Sequence, residues 1–518
     1  MAASKRPSIE LYNTLTKKKE PLVTVQPGKV GMYLCGPTVY KPSHIGHMVG
    51  PVIFDTIKRY LEYSGWEVTW VVNITDVDDK LIAESETRGV SMQALADEMT
   101  TDYLENLAAL SVESIDEMPK ATEHIGTIIS FIEDLIEKDC AYASDGDVYF
   151  EVAKDTDYGK LTNRSIEQTQ GEGGSTADRK RSAADFALWK KAKSGEPAWE
   201  SPWGHGRPGW HIECSAMCKA ILGPHFDIHG GGLDLVFPHH ENEIAQSESL
   251  HDCPMATFWM HNGLMQSAGA HGKVGGRPRG SDAQAVDVAT QTATKISKST
   301  GAEPFKDLLS RHDPQVIRLL LLSTHYRSPI HFGEDPLAES ARAMEAFDRL
   351  FSRYERISGR AFHSLACLNR DDGDSNVALT GDDIKDARKK FLAAMDDDFN
   401  SAIAIATLYD FVRVVNKFID QHSLETAKSK ELCRELDAMM LTLRELTGVL
   451  GLFLKPSEQH GSESGGETIN QLMALIIEIR ANARQAKDFA TADLVRDKLA
   501  EAGIVLEDRA DGTGWTQK

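Results

Sequence analysis

The 518-residue chain lacks any surplus of positive charge: 57 lysines and arginines face 78 aspartates and glutamates, a formal net charge of −21. This balance counts against broad, nonspecific adhesion to nucleic acid, which draws on excess cations, but leaves room for a local basic face. Two small clusters qualify, Lys17 to Lys19 and the looser set Arg480, Arg484, Lys487, Arg496 and Lys498, and each reads first as a solvated surface. Long apolar runs are also missing. None reaches the roughly 18 residues that a membrane helix needs, and the opening MAASKRPSIELYNTLTKKKE is polar and basic rather than a signal region. A cytoplasmic protein without a membrane partner is the expectation. Cysteine is scarce and odd in number, seven in all, with no CxxC pair, which does not resemble a disulfide framework. A special cysteine here is better read as a ligand or a nucleophile.

What is present suffices for a large folded protein of several domains, with 41% hydrophobic residues. After Met32-Tyr33-Leu34, apolar positions Ile45, Met48, Val49, Val52, Ile53, Ile57, Tyr60 and Leu61 recur at helical spacing, and EVTWVVN (Glu67 to Asn73) reads as a buried strand. Strand, turn, helix, strand opens a βαβ unit, whose parallel sheet binds ligands at the carboxyl ends of its strands. Pro51 threatens the first turns of that helix by removing an N–H. Met92 to Lys138 is helical in pattern, and AYASDGDVYFEV (Ala141 to Val152) predicts a hairpin turning at Gly146. Glu167 to Ala177 and Ser267 to Thr294 are poor in large apolar residues and read as exposed loops. Asp313-Pro314 starts the apolar helix VIRLLLLS; beyond it Ile384, Ala387, Phe391, Ala394 and Leu408, Val412, Val415, Ile419 predict a helical bundle. LKPSEQHGSESGGET then reads as a linker, followed by helices through Ile469 to Ala502 and a strand from Ile504 to Glu507.

Two kinds of chemistry are suggested by residue type. His239 and Glu243, four apart, share one helix face and with a cysteine from elsewhere would make a zinc site. Cys35 and Cys214 are candidates, Cys218 is four residues from Cys214, and His229 and His240 are alternative ligands, so spacing alone leaves the set open. The second kind is phosphate binding. His44-Ile45-Gly46-His47 falls where unpaired N–H groups and the helix dipole favour an anion, and KISKS (Lys295 to Ser299) supplies two mobile cations late in the chain.

The pair of signatures, early HIGH and late KISKS, resembles the class I aminoacyl-tRNA synthetases. Within that class the chain resembles the cysteinyl-tRNA synthetases through LYNTL, CGPTVY, NITDVDDK, FALWK, GRPGWHIECSAM, DIHGGGLDLVFPHHENEIAQSE and HYRSPI. The resemblance implies an α/β fold: a Rossmann-like parallel-sheet catalytic domain over 1–330 with an inserted segment at about 120–210, an α-helical bundle over 331–455, a linker at 456–468 and a small mixed α/β domain over 469–518 that reads the anticodon. It implies one Zn²⁺ on Cys35, Cys214, His239 and Glu243, with Cys218 a packed thiol. Thr38, Thr75 and Trp210 would meet the amino acid; Gly230, Gly231, Gly232 and Asp234 would receive adenosine. His44, His47, Lys295 and Lys298 would stabilise phosphate charge while L-cysteine and ATP, with Mg²⁺, give the adenylate that is passed to tRNA(Cys). The family also suggests a monomer.

The chain departs from that pattern at Pro51, at the isoleucine of KISKS, and in the insertion Ser267 to Thr294, which carries Lys273, Arg277 and Arg279 and is read as an inert loop. Two rival readings are a cysteine amide ligase of thiol biosynthesis, which would lack the long tail, and a non-catalytic RNA-binding paralogue, which would have no need of intact signatures. Arg509 and Trp515 are the residues expected to meet bases in the tail.

Overall fold

The computed structural model describes residues 6–163, 179–267, 303–370, 381–426, 429–456, 463–509 and 512–517. At its centre lie four parallel strands in the spatial order Ala256–Asn262, Phe226–Gly232, Lys29–Leu34, Glu67–Val72. Met32, Leu34, Trp70, Val71, Val72 and Ile228 are buried, as strands covered on both faces require. The earliest of these strands sits inside the sheet. From it the chain passes by the helix Ile45–Tyr63 to Glu67–Val72 on one side, and later returns with Phe226–Gly232 on the other. The carboxyl ends of Lys29–Leu34 and Phe226–Gly232 therefore flank the point where strand order reverses, the place where an open α/β sheet leaves a crevice for ligand.

The helix Ile45–Tyr63 runs unbroken through Pro51. A proline inside a helix costs about 3 kcal/mol, but Met48, Val52, Phe54, Ile57, Tyr60 and Leu61 are all buried on this helix, and that packing outweighs one lost N–H. The stretch Met92 to Lys138 is not helical throughout. Helices Met92–Ala109 and Ile125–Glu137 are separated by a segment that runs beside the sheet, bridging Val71 to Glu117 and Ile74 to Lys120. Ser111 with φ 60° and Pro119 interrupt the helical period there.

A second, antiparallel sheet of Ala141–Ser144, Asp147–Phe150, Phe186–Lys191 and Gly206–Pro208 forms the inserted segment around its own core of Ile128, Phe131, Phe150, Leu188 and Trp189. Its hairpin turns at Asp145 and Gly146, both with positive φ, as a tight two-residue loop demands. Lys190, 3.0 Å from Asp79, and Arg207 tie this sheet to the helix Asp79–Arg88. The helix Trp210–Leu222 leaves the inserted sheet directly, so the insert positions that helix at the crevice.

Helices Glu334–Ser358, Asp382–Asp396, Ser401–Gln421 and Lys430–Val449 form the bundle, and their apolar stripes join one core with the central sheet's helices. Tyr63 Oη donates to Glu445 Oε1 at 2.6 Å and Arg388 holds the same carboxylate at 2.9 Å, linking the bundle to the helix Ile45–Tyr63. The last unit pairs helices Glu463–Gln485 and Phe489–Glu501 with a hairpin of Ile504–Arg509 and Gly512–Gln517. The segment expected as a linker at 456–468 is shorter than its composition suggests, because the helix begins at Glu463 and runs through two glycines. Each glycine costs about 1 kcal/mol, which a long cooperative helix tolerates. The second strand of the hairpin, glycine-rich, was not legible as a strand.

Candidate active site and metal-ligand group

Cys35 follows directly on the strand Lys29–Leu34, where its N–H donates to the Gly230 carbonyl at 3.2 Å across the switch point. Gly36 is required beside it: a Cβ there would lie 1.7 Å from the Asn73 carbonyl oxygen, and its N–H donates to Asn73 Oδ1 at 2.9 Å. Three other elements converge on the same sulfur. Cys214, on Trp210–Leu222, places Sγ 3.8 Å from Cys35 Sγ; Glu243, on Glu241–His251, places Oε1 3.5 Å from it; His239 Nε2 is 3.0 Å from that oxygen. One ligand atom of each of these four residues lies within 4.8 Å of every other. Cys214, His239 and Glu243 are buried.

The electrostatics suit a cation. Burial pushes the Cys35 thiol well up, and its hydrogen bond to Cys214 draws the latter down to about 6. Burial opposes ionisation of Glu243, yet His229 and His239 hold it well below the usual carboxylate range. Burial likewise opposes a charged His239, but the Glu243 carboxylate and the Cys214 sulfur push it up to about 10. Two sulfurs, an imidazole nitrogen and a carboxylate oxygen fit a borderline-soft divalent ion, whose binding would release these protons. A second group, Cys35, His229, His240 and Glu243, overlaps the first. It uses the same Cys35 and Glu243, so the two describe one site. Cys218 is buried against Tyr33 in the packing behind it and belongs to neither group.

Beside this cluster the helix Ile45–Tyr63 begins at His44. The His44 ring accepts from Gly46 N–H at 3.1 Å, and His47 Nδ1 accepts from His44 N–H at 3.3 Å, a reciprocal cap made by two histidines. With both Nδ1 atoms accepting, each ring carries its proton on Nε2, and the rings stack with centroids 3.9 Å apart. The cap thus fixes the tautomer that donates. His47, Gly231, Gly232, Asp234 and Asn262 line one cleft with Cys35. Gly230 answers a different need, since a Cβ there would meet the Phe54 ring at 2.0 Å; it lets the helix press on the sheet.

Trp210, 39% exposed, stacks on His239 with centroids 4.2 Å apart, so its indole walls the metal-ligand group. Thr38 and Thr75 form a bridge beyond the strand ends, and the buried Thr75 hydroxyl accepts from Asn73 Nδ2 at 3.3 Å. Cys35, Cys214, His239, Glu243, His44, His47, Thr38, Thr75, Trp210, Gly230 to Gly232 and Asp234 are therefore all gathered at one end of the sheet. Lys295 and Lys298 lie outside the described residues, as do the segments 164–178 and 268–302 that hold both predicted loops apart from Ser267. Sequence reasoning did not single out His211, whose Nδ1 is 2.8 Å from His239 Nδ1, nor the role of His229, whose Nε2 is 2.8 Å from Glu243 Oε2. The only signal was position: His211 sits three residues from Cys214, and His229 just before the glycines.

Three family models match the chain: tRNA synthetases class I (C) catalytic domain over residues 21–271, DALR domain over 390–455, and Cysteinyl-tRNA ligase anticodon binding domain over 471–515. A cysteine–tRNA ligase of Anoxybacillus flavithermus is 41% identical over 516 residues, covering 98% of this chain and 99% of its own length. One from Heliobacterium modesticaldum is 42% identical over 515 residues, covering 98% and 99%. Among solved structures, methionyl-tRNA synthetase of Mycobacterium tuberculosis bound by methionyl-adenylate superposes with a TM-score of 0.56 at 13% identity, over 82% of this chain and 90% of that one, a likeness of fold. With its parallel sheet, its helical bundle and identity above 40% along nearly its whole length, this chain belongs to the cysteine–tRNA ligase family.

Proposed function

We propose that the protein activates L-cysteine with ATP and transfers it to the 3′ end of tRNA(Cys), selecting cysteine over serine through a Zn²⁺ held by Cys35, Cys214, His239 and Glu243. The observation that carries this reading is the meeting of those four ligand atoms, all within 4.8 Å, beside the His44–His47 cap. When bound, zinc would supply a borderline-soft Lewis acid for the substrate's sulfur, which a serine hydroxyl imitates poorly. A pocket relying on size alone separates near-isosteres by roughly 10 to 200-fold, so selection at this level needs a chemical criterion.

The residues of the chain divide the remaining work. Trp210 closes the amino-acid side, with Thr38 and Thr75 near the substrate's main-chain groups. Gly231 and Gly232 allow close approach of adenosine, and Asp234 accepts from the ribose hydroxyls. The substrate carboxylate attacks the α-phosphate of ATP, which enters with Mg²⁺; the bond to the bridging oxygen breaks and pyrophosphate leaves. Nε2–H donors of His44 and His47 meet the charge growing on the phosphate oxygens, together with the cations Lys295 and Lys298. The ribose hydroxyl of tRNA then attacks the acyl carbon of the adenylate; the ester forms as the bond to the phosphate oxygen breaks, and AMP leaves with the hydroxyl proton released to solvent. No enzyme nucleophile is needed. The bundle and the C-terminal unit, matched as DALR and anticodon-binding domains, give tRNA a surface that an amide ligase would not require. We place the protein in the cytoplasm as a monomer, which light scattering of the purified chain checks.

Labelled cysteine and labelled serine offered in parallel, with ATP and unfractionated tRNA, test the reading. Cysteine alone should reach tRNA, and chelation should abolish the selectivity. Folded, zinc-loaded protein that charges no tRNA would refute it.

A further inference from the structure

Glu243 has two carboxylate oxygens, and the structure uses them differently. Oε1 faces the ligand group, 3.5 Å from Cys35 Sγ and 3.0 Å from His239 Nε2. Oε2 is 2.8 Å from Nε2 of His229, a fully buried ring on the strand Phe226–Gly232. A carboxylate only accepts, so His229 Nε2 carries the proton and donates it. His229 Nδ1 is buried with no hydrogen-bond partner among the described residues. Its ring is held by stacking on Trp259, centroids 4.5 Å apart at 16°, and by tilted contact with Tyr33 at 5.4 Å. The ring cannot swing away without breaking both contacts. On the other flank, His211 Nδ1 lies 2.8 Å from His239 Nδ1, so the second nitrogen of His239 is occupied and Nε2 is the one left toward the cluster.

Resting on the zinc reading above, we propose that His229 is a specificity-positioning residue: by holding Glu243 Oε2, it restricts Glu243 to one donor oxygen and keeps room at the ion for the substrate's thiol. Outer partners of this kind orient metal ligands and typically change metal affinity or activity by 10–100-fold when lost. The inference separates two functions. Removing His229 frees Oε2 to turn toward the ion, so metal is retained while the sulfur of free cysteine must displace an oxygen. A merely structural histidine would weaken metal binding and thiol binding together, through loss of packing.

The test compares wild type, His229→Gln, whose amide can still donate to Oε2, and His229→Leu, all loaded with Co²⁺. Metal content and affinity come from chelator competition, and thiol binding from the sulfur-to-cobalt absorption band during titration with L-cysteine. For His229→Leu we expect one ion per chain, with affinity within a few-fold of wild type, and a cysteine midpoint weakened by about 10–100-fold; His229→Gln should recover most of it. Equal loss of metal and cysteine affinity in His229→Leu, or no change in either, overturns the proposal. If His229→Leu does not fold, a metal-bound wild-type structure decides: two Glu243 oxygens on the ion overturn it, one supports it. Wild type that binds no metal would instead sink the zinc reading itself.

Discussion

Arg318 is fully buried and joins three parts of the molecule. Its Nη2 donates to Asp55 Oδ2 at 2.5 Å, Nη1 to the Leu110 carbonyl at 2.7 Å, and Nε to the Leu450 carbonyl at 2.8 Å, so it connects the histidine-capped helix, the end of Met92–Ala109 and the last helix of the bundle. Gly451 must be glycine there: φ is +65° and a Cβ would lie 2.3 Å from Arg318 Nη2. Burial opposes ionisation of Asp55, but Arg318 and Arg59 together hold it below the usual carboxylate range. Replacing Arg318 by Met leaves the buried carboxylate with Arg59, 2.7 Å away and half-buried, as its one cation and with the neutral hydroxyl of Ser114, 2.8 Å away, and takes from two carbonyls their guanidinium donor. Breaking a buried pair in this way costs about 3–5 kcal/mol. Urea denaturation should show that loss at pH 7 for Arg318→Met, and the double variant with Asp55→Asn should lose less than the sum of the singles. The pH dependence has a definite sign. A carboxylate with a depressed folded pKa contributes stability above its unfolded value, and this is lost as pH falls through the folded value. The deficit of Arg318→Met should therefore be greatest near neutral pH and narrow in acid, where Asp55 protonates in the variant. A loss under about 1 kcal/mol at pH 7, against the 3–5 expected, or a deficit flat with pH, would refute the reasoning.

Cys214→Ser should reduce metal content below one ion per chain and suppress cysteine-dependent pyrophosphate exchange; retained metal with full exchange counts against the ligand set. His44→Ala removes the cap, costing about 0.5–2 kcal/mol, and with it the hydrogen-bond donor proposed for the ATP phosphates, which should slow exchange by about 10²–10³-fold, measurable by denaturation and exchange on one preparation. Gly36→Ala places its Cβ against the Asn73 carbonyl, so Cys35 must shift, and chelator competition should show weaker metal binding than wild type. Trp515→Ala should weaken charging of tRNA while leaving pyrophosphate exchange intact; impaired exchange would assign Trp515 to folding instead.

Local pattern carried much of the architecture. The helix Ile45–Tyr63, the strand Glu67–Val72, the hairpin at Gly146 and the helix Pro314–Leu322 each answer to periodicity, turn chemistry or a capping Asp313 within a dozen residues. Where distant packing intervened, pattern misled: Pro51 does not break its helix because a buried face holds it, and the chain after Ala109 straightens because it finds a sheet edge at Val71 and Ile74.

The residue types of the site were readable along the chain, because histidine, cysteine and carboxylate chemistry does not depend on where the chain goes. Their assembly did not follow from spacing, which left Cys218, His229 and His240 open as ligands. Only the crossing of strands at the switch point brings Cys35 within 3.8 Å of Cys214, turns Glu243 Oε1 toward Cys35 and His239, and sends Glu243 Oε2 to His229. The physical reason is that a hydrogen bond or a ligand bond is decided over about 3 Å, and those distances are set by elements far apart in sequence. The donors were written locally; which of them meet, and with which atom, is a property of the packed sheet and its helices.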